Sequence, residues 1–203
     1  MQKGRVRMKA RRRTTIDLPT TEQIEKEQKR LRYRKRYRRT LKSTVAVLVV
    51  VAAVAVLVTT LWMPVLHIYG SSMSPTLVEG QIVLTIKTEN FKPGDIAAFY
   101  SGNKLLIKRF IAGPSDWVNI DVDGNVFVNG SELDEPYLSE KALGETDIEL
   151  PYQVPDERYF LMGDNRAVSV DSRSSMVGCV SKDQIVGKVV FRIWPLREFG
   201  PVG

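Results

Sequence analysis

The amino-acid sequence predicts an all-β domain of antiparallel sheets behind a single N-terminal transmembrane helix. Three observations carry that prediction. Residues 43–66 are a run of 24 without a charge, rich in Val, Ala and Leu. Beyond them, short apolar or β-branched segments are punctuated by Gly, Pro and Asn, as strands and turns are. Apolar residues there seldom recur at helical spacing.

The 203 residues leave room for one anchor and one modest domain. The net charge of +7 conceals a division: residues 1–42 hold 17 Lys/Arg against 4 Asp/Glu, and residues 43–203 hold 13 against 19. The two parts therefore suit different surroundings. In the basic arm, Thr20 with Gln23 has capping-box spacing, which predicts a highly charged helix over 22–37. No recognition motif or interleaved aromatic pattern accompanies the charge, so no nucleic-acid partner is expected. Clustered Lys/Arg beside an apolar segment are retained on the cytoplasmic side. The N-terminus is expected in the cytoplasm and residues 67–203 outside it.

Wound as a helix, residues 43–66 extend ~36 Å, enough for a ~30 Å hydrocarbon core with some tilt. Their valines are no obstacle, because a lone segment in lipid must satisfy its own backbone. Trp62 and Tyr69 suit the far interface, and Pro64 is placed to end the span. A cleaved leader would have a shorter apolar core. An uncleaved, single-pass anchor in the plasma membrane is expected.

Strands are predicted at 82–87, 95–99, 104–111, 117–122, 126–128, 158–162 and 184–194. Asp123-Gly124 marks a hairpin and Asn129-Gly130 a further turn. Residues 131–157 are acidic, proline-containing and unpatterned. They are expected as a mobile excursion with solvated carboxylates, within a small insertion over about 119–157. Cys179 is the single cysteine, which excludes an intramolecular disulfide and a cysteine-based metal cluster. No metal or other cofactor is expected.

The candidate chemistry lies in Gly70-Ser71-Ser72-Met73-Ser74-Pro75-Thr76-Leu77, directly after the anchor. A serine hydroxyl such as that of Ser72 is a weak nucleophile until a base takes its proton. The one histidine, His67, lies five residues before Ser72 at the membrane boundary. It is poorly placed to face the serine with a carboxylate behind it. That leaves a lysine kept neutral by desolvation. Lys108 lies in the apolar run Leu105-Leu106-Ile107-Lys108-Arg109-Phe110-Ile111, where burial is plausible. Taken alone, that run reads as a core strand ending at two exposed basic residues.

Ser72-Met73-x-Pro75-Thr76 resembles the nucleophile box of the type I signal peptidases, membrane-bound Ser/Lys proteases that remove secretory signal peptides. Lys92-Pro93-Gly94-Asp95-Ile96 resembles the family's second box. Ile107-Lys108-Arg109 with Pro114 and Asp116 resembles its lysine box. Gly163-Asp164-Asn165-Arg166-Ala167-Val168-Ser169-Val170-Asp171-Ser172-Arg173 resembles its last box. The four segments fall in the family's order after an anchor, and the resemblance covers about residues 43–196.

The resemblance implies a signal-peptidase-like, all-β extracytoplasmic catalytic domain. It makes Ser72 the nucleophile and Lys108 the general base, with the Ser169 hydroxyl orienting the amine. Asp171 and Arg173 would form a supporting ion pair, and Asp164 would pair with Arg109. Ser172 is expected to be an ordinary surface-loop residue. Ile68, Met73, Leu77, Val83, Leu106 and Ile107 match family positions lining shallow apolar subsites, which implies cleavage after small residues in an Ala-x-Ala-like pattern. The implied partners are secretory preproteins and the lipid bilayer, with the secretion translocon as a further candidate. Two departures stand out. Gly70 occupies a position where many members place a serine, leaving the second oxyanion donor open between a backbone N–H and the Ser71 hydroxyl. Ala112-Gly113-Pro114-Ser115-Asp116 also differs from the usual Gly-x-Pro-Gly-Asp. Two other classes compete: a self-cleaving, repressor-like Ser/Lys protease, disfavoured by the membrane span, and a non-enzymatic membrane-anchored β domain, disfavoured by Ser72, Lys108, Ser169 and Asp171 together.

Overall fold

The computed structural model describes residues 20–202, so the first 19 residues of the basic arm expected over residues 1–42 lie outside the described part. The described chain divides into two units, one ending at Ala53 and one beginning at Val54. The first is a continuous stretch of helix α1, which runs Thr21–Trp62. The Thr20 N–H donates to Gln23 Oε1 at 3.0 Å, one half of the expected capping box. Acidic residues cluster in the first two turns and Lys/Arg fill the next four, all exposed. The charged helix therefore does not stop near Tyr37 but runs on into the apolar segment.

Near the end of α1, the Thr59 hydroxyl donates back to the Ala55 and Val56 carbonyls. The Thr60 hydroxyl does the same to Val56 and Leu57. Such back-bonding lets a hydroxyl sit in an apolar helix without an unsatisfied donor. The helix stops at Trp62 rather than at Leu66. Pro64 cannot continue it, and its carbonyl accepts both the backbone N–H and the hydroxyl of Thr85. Val65–His67 is already strand β1.

Apart from two short 3-10 turns, Lys182–Gln184 and Leu196–Glu198, the remaining elements are strands: β2 Ile82–Ile86, β3 Ile96–Ser101, β4 Lys104–Ala112, β5 Trp117–Ile120, β6 Val126–Val128, β7 Ser131–Glu132, β8 Tyr152–Gln153, β9 Arg158–Met162, β10 Val180–Ser181, β11 Ile185–Trp194 and β12 Gly200–Pro201. Eight form one antiparallel sheet in the order β1-β2-β11-β3-β4-β9-β10, with β12 beside β11. A smaller antiparallel sheet has the order β7-β6-β5-β8. The all-β expectation is met.

Cores explain the pattern. Strands β3 and β9 carry four consecutive buried residues each, as strands covered on both faces do. Ile111, Phe160 and Met162 of the large sheet pack with Val118, Ile120 and Val126 of the small one. Leu133, Leu143, Ile148 and Leu150 close over that cluster. The excursion expected at 131–157 is therefore packed cover for a core. Its acidity is not all solvated either: Glu135 is buried and ion-paired to Arg166. Asn129 and Gly130 both take positive φ in a two-residue turn between β6 and β7. The Asp123-Gly124 hairpin is wider, with Ile120 opposite Val126 and the Asp121 carboxylate accepting from Asp123 and Asn125.

Candidate active site

Two sheet edges create the site. Strand β4 pairs with β3 along Lys104–Arg109, but β9 covers its other side only from Arg109 to Ala112. The Lys104–Lys108 half therefore has an open edge. Strand β1 is the outermost strand and is open on the side away from β2. A groove of about 610 Å³ lies between residues 65–70, 72 and 73 on one wall and residues 104–108 on the other. Ser72 and Lys108 both line it.

Ser72 stands on a turn that β1 delivers and that several hydrogen bonds fix. Its carbonyl accepts from the Asn165 N–H at 3.0 Å, while Ser74 N–H bonds back to Ser71 and Leu77 N–H to Met73. Among the described residues the Ser72 N–H has no acceptor, so it is free to meet an oxyanion. Gly70 has φ +81° with open space around its Cα. A serine there would be strained by the backbone, not by crowding. The glycine departure follows from that conformation.

Lys108 is 3 % exposed, and its amine has no hydrogen-bond partner among the described residues. Burial pulls its pKa from 10.5 to about 8, with Arg173 pushing the same way and Asp171 and Asp164 opposing. Its neighbour Arg109, on the other face of β4, is held by Asp164 through two bonds of 2.8 and 2.6 Å. Arg109 also donates to the Gly94 carbonyl and lies over the Tyr137 ring, 3.7 Å from its centroid. The two basic residues expected to end an ordinary strand in solvent are thus both buried.

The loop after β9 carries the rest. The Gly163 N–H donates to Asp171 Oδ2, and Arg173 binds both oxygens of that carboxylate at 2.9 and 2.8 Å. Burial raises the Asp171 carboxyl, but its bonds to Arg173 and Gly163 outweigh this and leave it below the usual carboxylate range. Gly163 is also where the two serines converge. A Cβ on it would lie 2.6 Å from the Ser72 carbonyl and closer still to the Ser169 hydroxyl. That hydroxyl is buried beside the Asp171 carboxylate, which its proximity helps to keep ionised, but it makes no well-aligned hydrogen bond among the described residues. Ser172 is no surface residue: buried at 1 % exposure, its hydroxyl accepts from Leu161 N–H and donates to the Gly178 carbonyl.

Of the apolar residues expected to face a substrate, Ile68, Met73, Leu106 and Ile107 line the groove. Leu77 and Val83 do not; they are fully buried in the cluster that supports Ile68 and Met73. His67 lines the groove as an exposed residue against Tyr69, with no carboxylate paired to it among the described residues. Ser115 has φ +67° where the family pattern has glycine, so the backbone shape is kept despite the side chain. Four residues around the site escape the sequence expectations: Thr76, Glu135, Tyr137 and Arg166. Thr76 donates to Asp164 at 2.5 Å and accepts from Arg109. Arg166 pairs with Glu135, which also accepts from the Tyr137 hydroxyl. Thr76 and Arg166 lie inside recognisable boxes; Glu135 and Tyr137 carry no local signal.

Comparison with known proteins decides the family. Residues 40–194 match the family model described as signal peptidase, peptidase S26. The chain belongs to the signal peptidase family. Membership makes it a serine endopeptidase that removes signal peptides. Among this family's members, signal peptidase IB of Staphylococcus aureus is 38 % identical over 152 residues, covering 65 % of this chain and 78 % of that one. Signal peptidase I of Bacillus amyloliquefaciens is 36 % identical over 155 residues, covering 71 % and 83 %. A crystal structure of signal peptidase I from Enterococcus faecalis V583 matches with a TM-score of 0.44 and 27 % identity, over 50 % of this chain and 98 % of that one.

Proposed function

We propose that this signal peptidase cleaves with Ser72 as nucleophile and Lys108 as general base. The observation that carries the proposal is a buried, unpaired lysine sharing one groove with a serine whose backbone N–H is free. The neutral amine takes the Ser72 proton as the oxygen attacks the scissile carbonyl. The Ser72 N–H faces the resulting oxyanion. The Lys108 ammonium then protonates the departing amine, leaving an acyl ester on Ser72. Water, deprotonated by the same amine, hydrolyses that ester. Ser169, whose hydroxyl makes no bond to the amine in the structure, is the candidate to orient it once substrate is bound, while Asp171–Arg173 and Arg109–Asp164 hold the surrounding loops.

The open edge of β4 suits an extended substrate that adds as a strand, with alternate side chains toward the groove wall. Ile68, Met73, Leu106 and Ile107 line the groove there, which suits the shallow apolar subsites that the resemblance implies. Shallow subsites exclude bulk by clash, so Ala or similarly small residues are preferred one and three before the cut. The substrates are secretory preproteins presented at the bilayer, with the translocon as candidate supplier. Helix α1 anchors the chain once, its basic part cytoplasmic and residues 67–203 outside.

Purified protein in detergent micelles, mixed with a secretory precursor, tests the dyad. Ser72→Ala, Lys108→Ala and Lys108→Arg should each abolish cleavage, because guanidinium cannot act as a neutral base. His67→Ala should cut normally. Cleavage by Lys108→Ala with none by His67→Ala would overturn the assignment.

A further inference from the structure

The residues that fix the Ser72 turn do not end with the matched family region. Residues 195–203 follow the match at 40–194, yet they reach back to the nucleophile turn. After β11, a short 3-10 turn at Leu196–Glu198 places the Glu198 carboxylate against Gln81 and Arg192, while its Oε1 accepts from the exposed Arg197 Nε at 3.2 Å. Its Oε2 accepts from Gln81 Nε2 at 2.7 Å and from Arg192 Nη1 at 3.1 Å. Gln81 is 5 % exposed, and its own Oε1 accepts from Val78 N–H. Arg192 extends its other nitrogen, Nη2, to the Thr76 carbonyl at 2.7 Å. The remaining nitrogen, Nε, is buried with no partner among the described residues. Arg192 therefore depends on Glu198 both for charge balance and for aim.

Thr76 is the joint. Its carbonyl takes Arg192 from the C-terminal side, while its hydroxyl meets Asp164 and Arg109 from the β4 and β9 side. Residue 165, next to Asp164, holds the Ser72 carbonyl. The turn from Ser72 to Gln81 is thus pinned at its start by Asn165, in its middle by two arginines, and at its end by Glu198 through Gln81.

We propose that Glu198 is a positioning residue for the nucleophile, acting through Arg192 and Thr76. The inference rests on Ser72 being the nucleophile. Without the carboxylate, Arg192 loses its counter-charge and the Thr76 carbonyl its fixed donor, so the turn carrying Ser72 loses one of its constraints. A displacement of a fraction of an ångström at a nucleophile lowers the rate of the chemical step more than substrate affinity. Gln81 is bonded to Ile68 of one groove wall, but the facing wall at Leu106 and Ile107 lies outside this network, so substrate binding should change less than the chemical step.

The test uses the full-length protein in detergent micelles with a precursor peptide. Glu198→Ala should lower kcat by about tenfold or more while KM stays within about twofold. Glu198→Asp should restore part of the loss. Arg192→Gln should resemble Glu198→Ala, and the double variant should be no worse than the more severe single one. Melting curves followed by circular dichroism accompany each variant. Wild-type kcat in Glu198→Ala, or a loss matched by unfolding at the assay temperature, would overturn the proposal, as would additive losses in the double variant. Ser72→Ala, run alongside, separates the premises. Its continued cleavage refutes the nucleophile assignment, whereas an inert Ser72→Ala beside fully active Glu198 variants refutes only the relay.

Discussion

Lys108 and Arg109 are consecutive residues of β4, equally buried, and the fold treats them in opposite ways. Arg109 receives a carboxylate, a backbone carbonyl, a threonine hydroxyl and an aromatic face. Lys108 receives no hydrogen-bond partner among the described residues and drifts toward neutrality. A fold built only for stability would satisfy both. Buried charges are ordinarily paired, because an isolated one is strongly disfavoured away from water. The difference separates two kinds of charge in one strand: Arg109 braces the loops, and Lys108 is left unpaired, as the proposed proton acceptor must be.

The sharpest way to break this contrast is to replace each residue by an apolar one of similar length. Lys108→Met should lose cleavage on the order of 10⁴-fold, as removal of a catalytic base does. The same variant should gain stability, by up to about 3 kcal/mol at pH 7, because the cost of desolvating the amine disappears. Denaturant melts beside precursor cleavage would show both; a Lys108→Met protein less stable than the parent would sink the idea that the amine is kept at a cost. Arg109→Met should do the reverse and destabilise by about 3–5 kcal/mol, since it leaves Asp164 buried without its partner.

Proton linkage gives a third measurement. The folded Lys108 pKa of about 8 lies below the unfolded 10.5, so between these values the unfolded chain holds a proton that the folded one lacks. This group's contribution to stability therefore rises as pH climbs from about 8 toward 10.5 in the wild type, and the penalty is fully present below pH 8. Lys108→Met should lack that rise. Cleavage should also increase with pH up to a plateau above about 8; a flat profile from pH 6 to 9 would contradict the neutral-amine mechanism. The smallest effect sharpens the role of burial. Lys141 and Glu132 pair at 3.2 Å in the open, with side-chain exposures of 37 % and 56 %. Lys141→Ala should change stability by less than about 1 kcal/mol in the same melts, because exposed pairs contribute little.

The large sheet was legible because its strands combine period-two or continuous apolar runs with firm punctuation. Strand β9 begins and ends where expected, and β2, β3, β4 and β11 differ by one or two residues. The two-residue strands β7, β8, β10 and β12 were not legible, since two residues carry no period. Residues 131–157 misled because Leu133, Leu143, Ile148 and Leu150 are held by packing on a sheet formed elsewhere in the chain. The same reason hid Glu135: nothing near it announces that Arg166, thirty-one residues later, will meet it indoors. Ser72, Lys108, Asp164, Ser169 and Asp171 could be named through motif resemblance. Burial was expected for Lys108 alone among the charged ones; that Asp164, Asp171 and Arg173 would be buried with it was not legible, because much of what surrounds them is supplied by distant strands and loops.

The half-open edge of β4 carries a consequence for timing. A strand edge left free beside a cutting serine is completed only by a chain segment whose own backbone groups are still unpaired. A helix, or a strand paired on both sides within its own sheet, has no donors or acceptors to lend. On the proposed strand-addition binding, the enzyme sorts by foldedness as well as by side chain. A precursor that folds across its cleavage site before arriving would escape, whatever residues it carried there, and maturation becomes a race between the edge of β4 and the folding of the passenger.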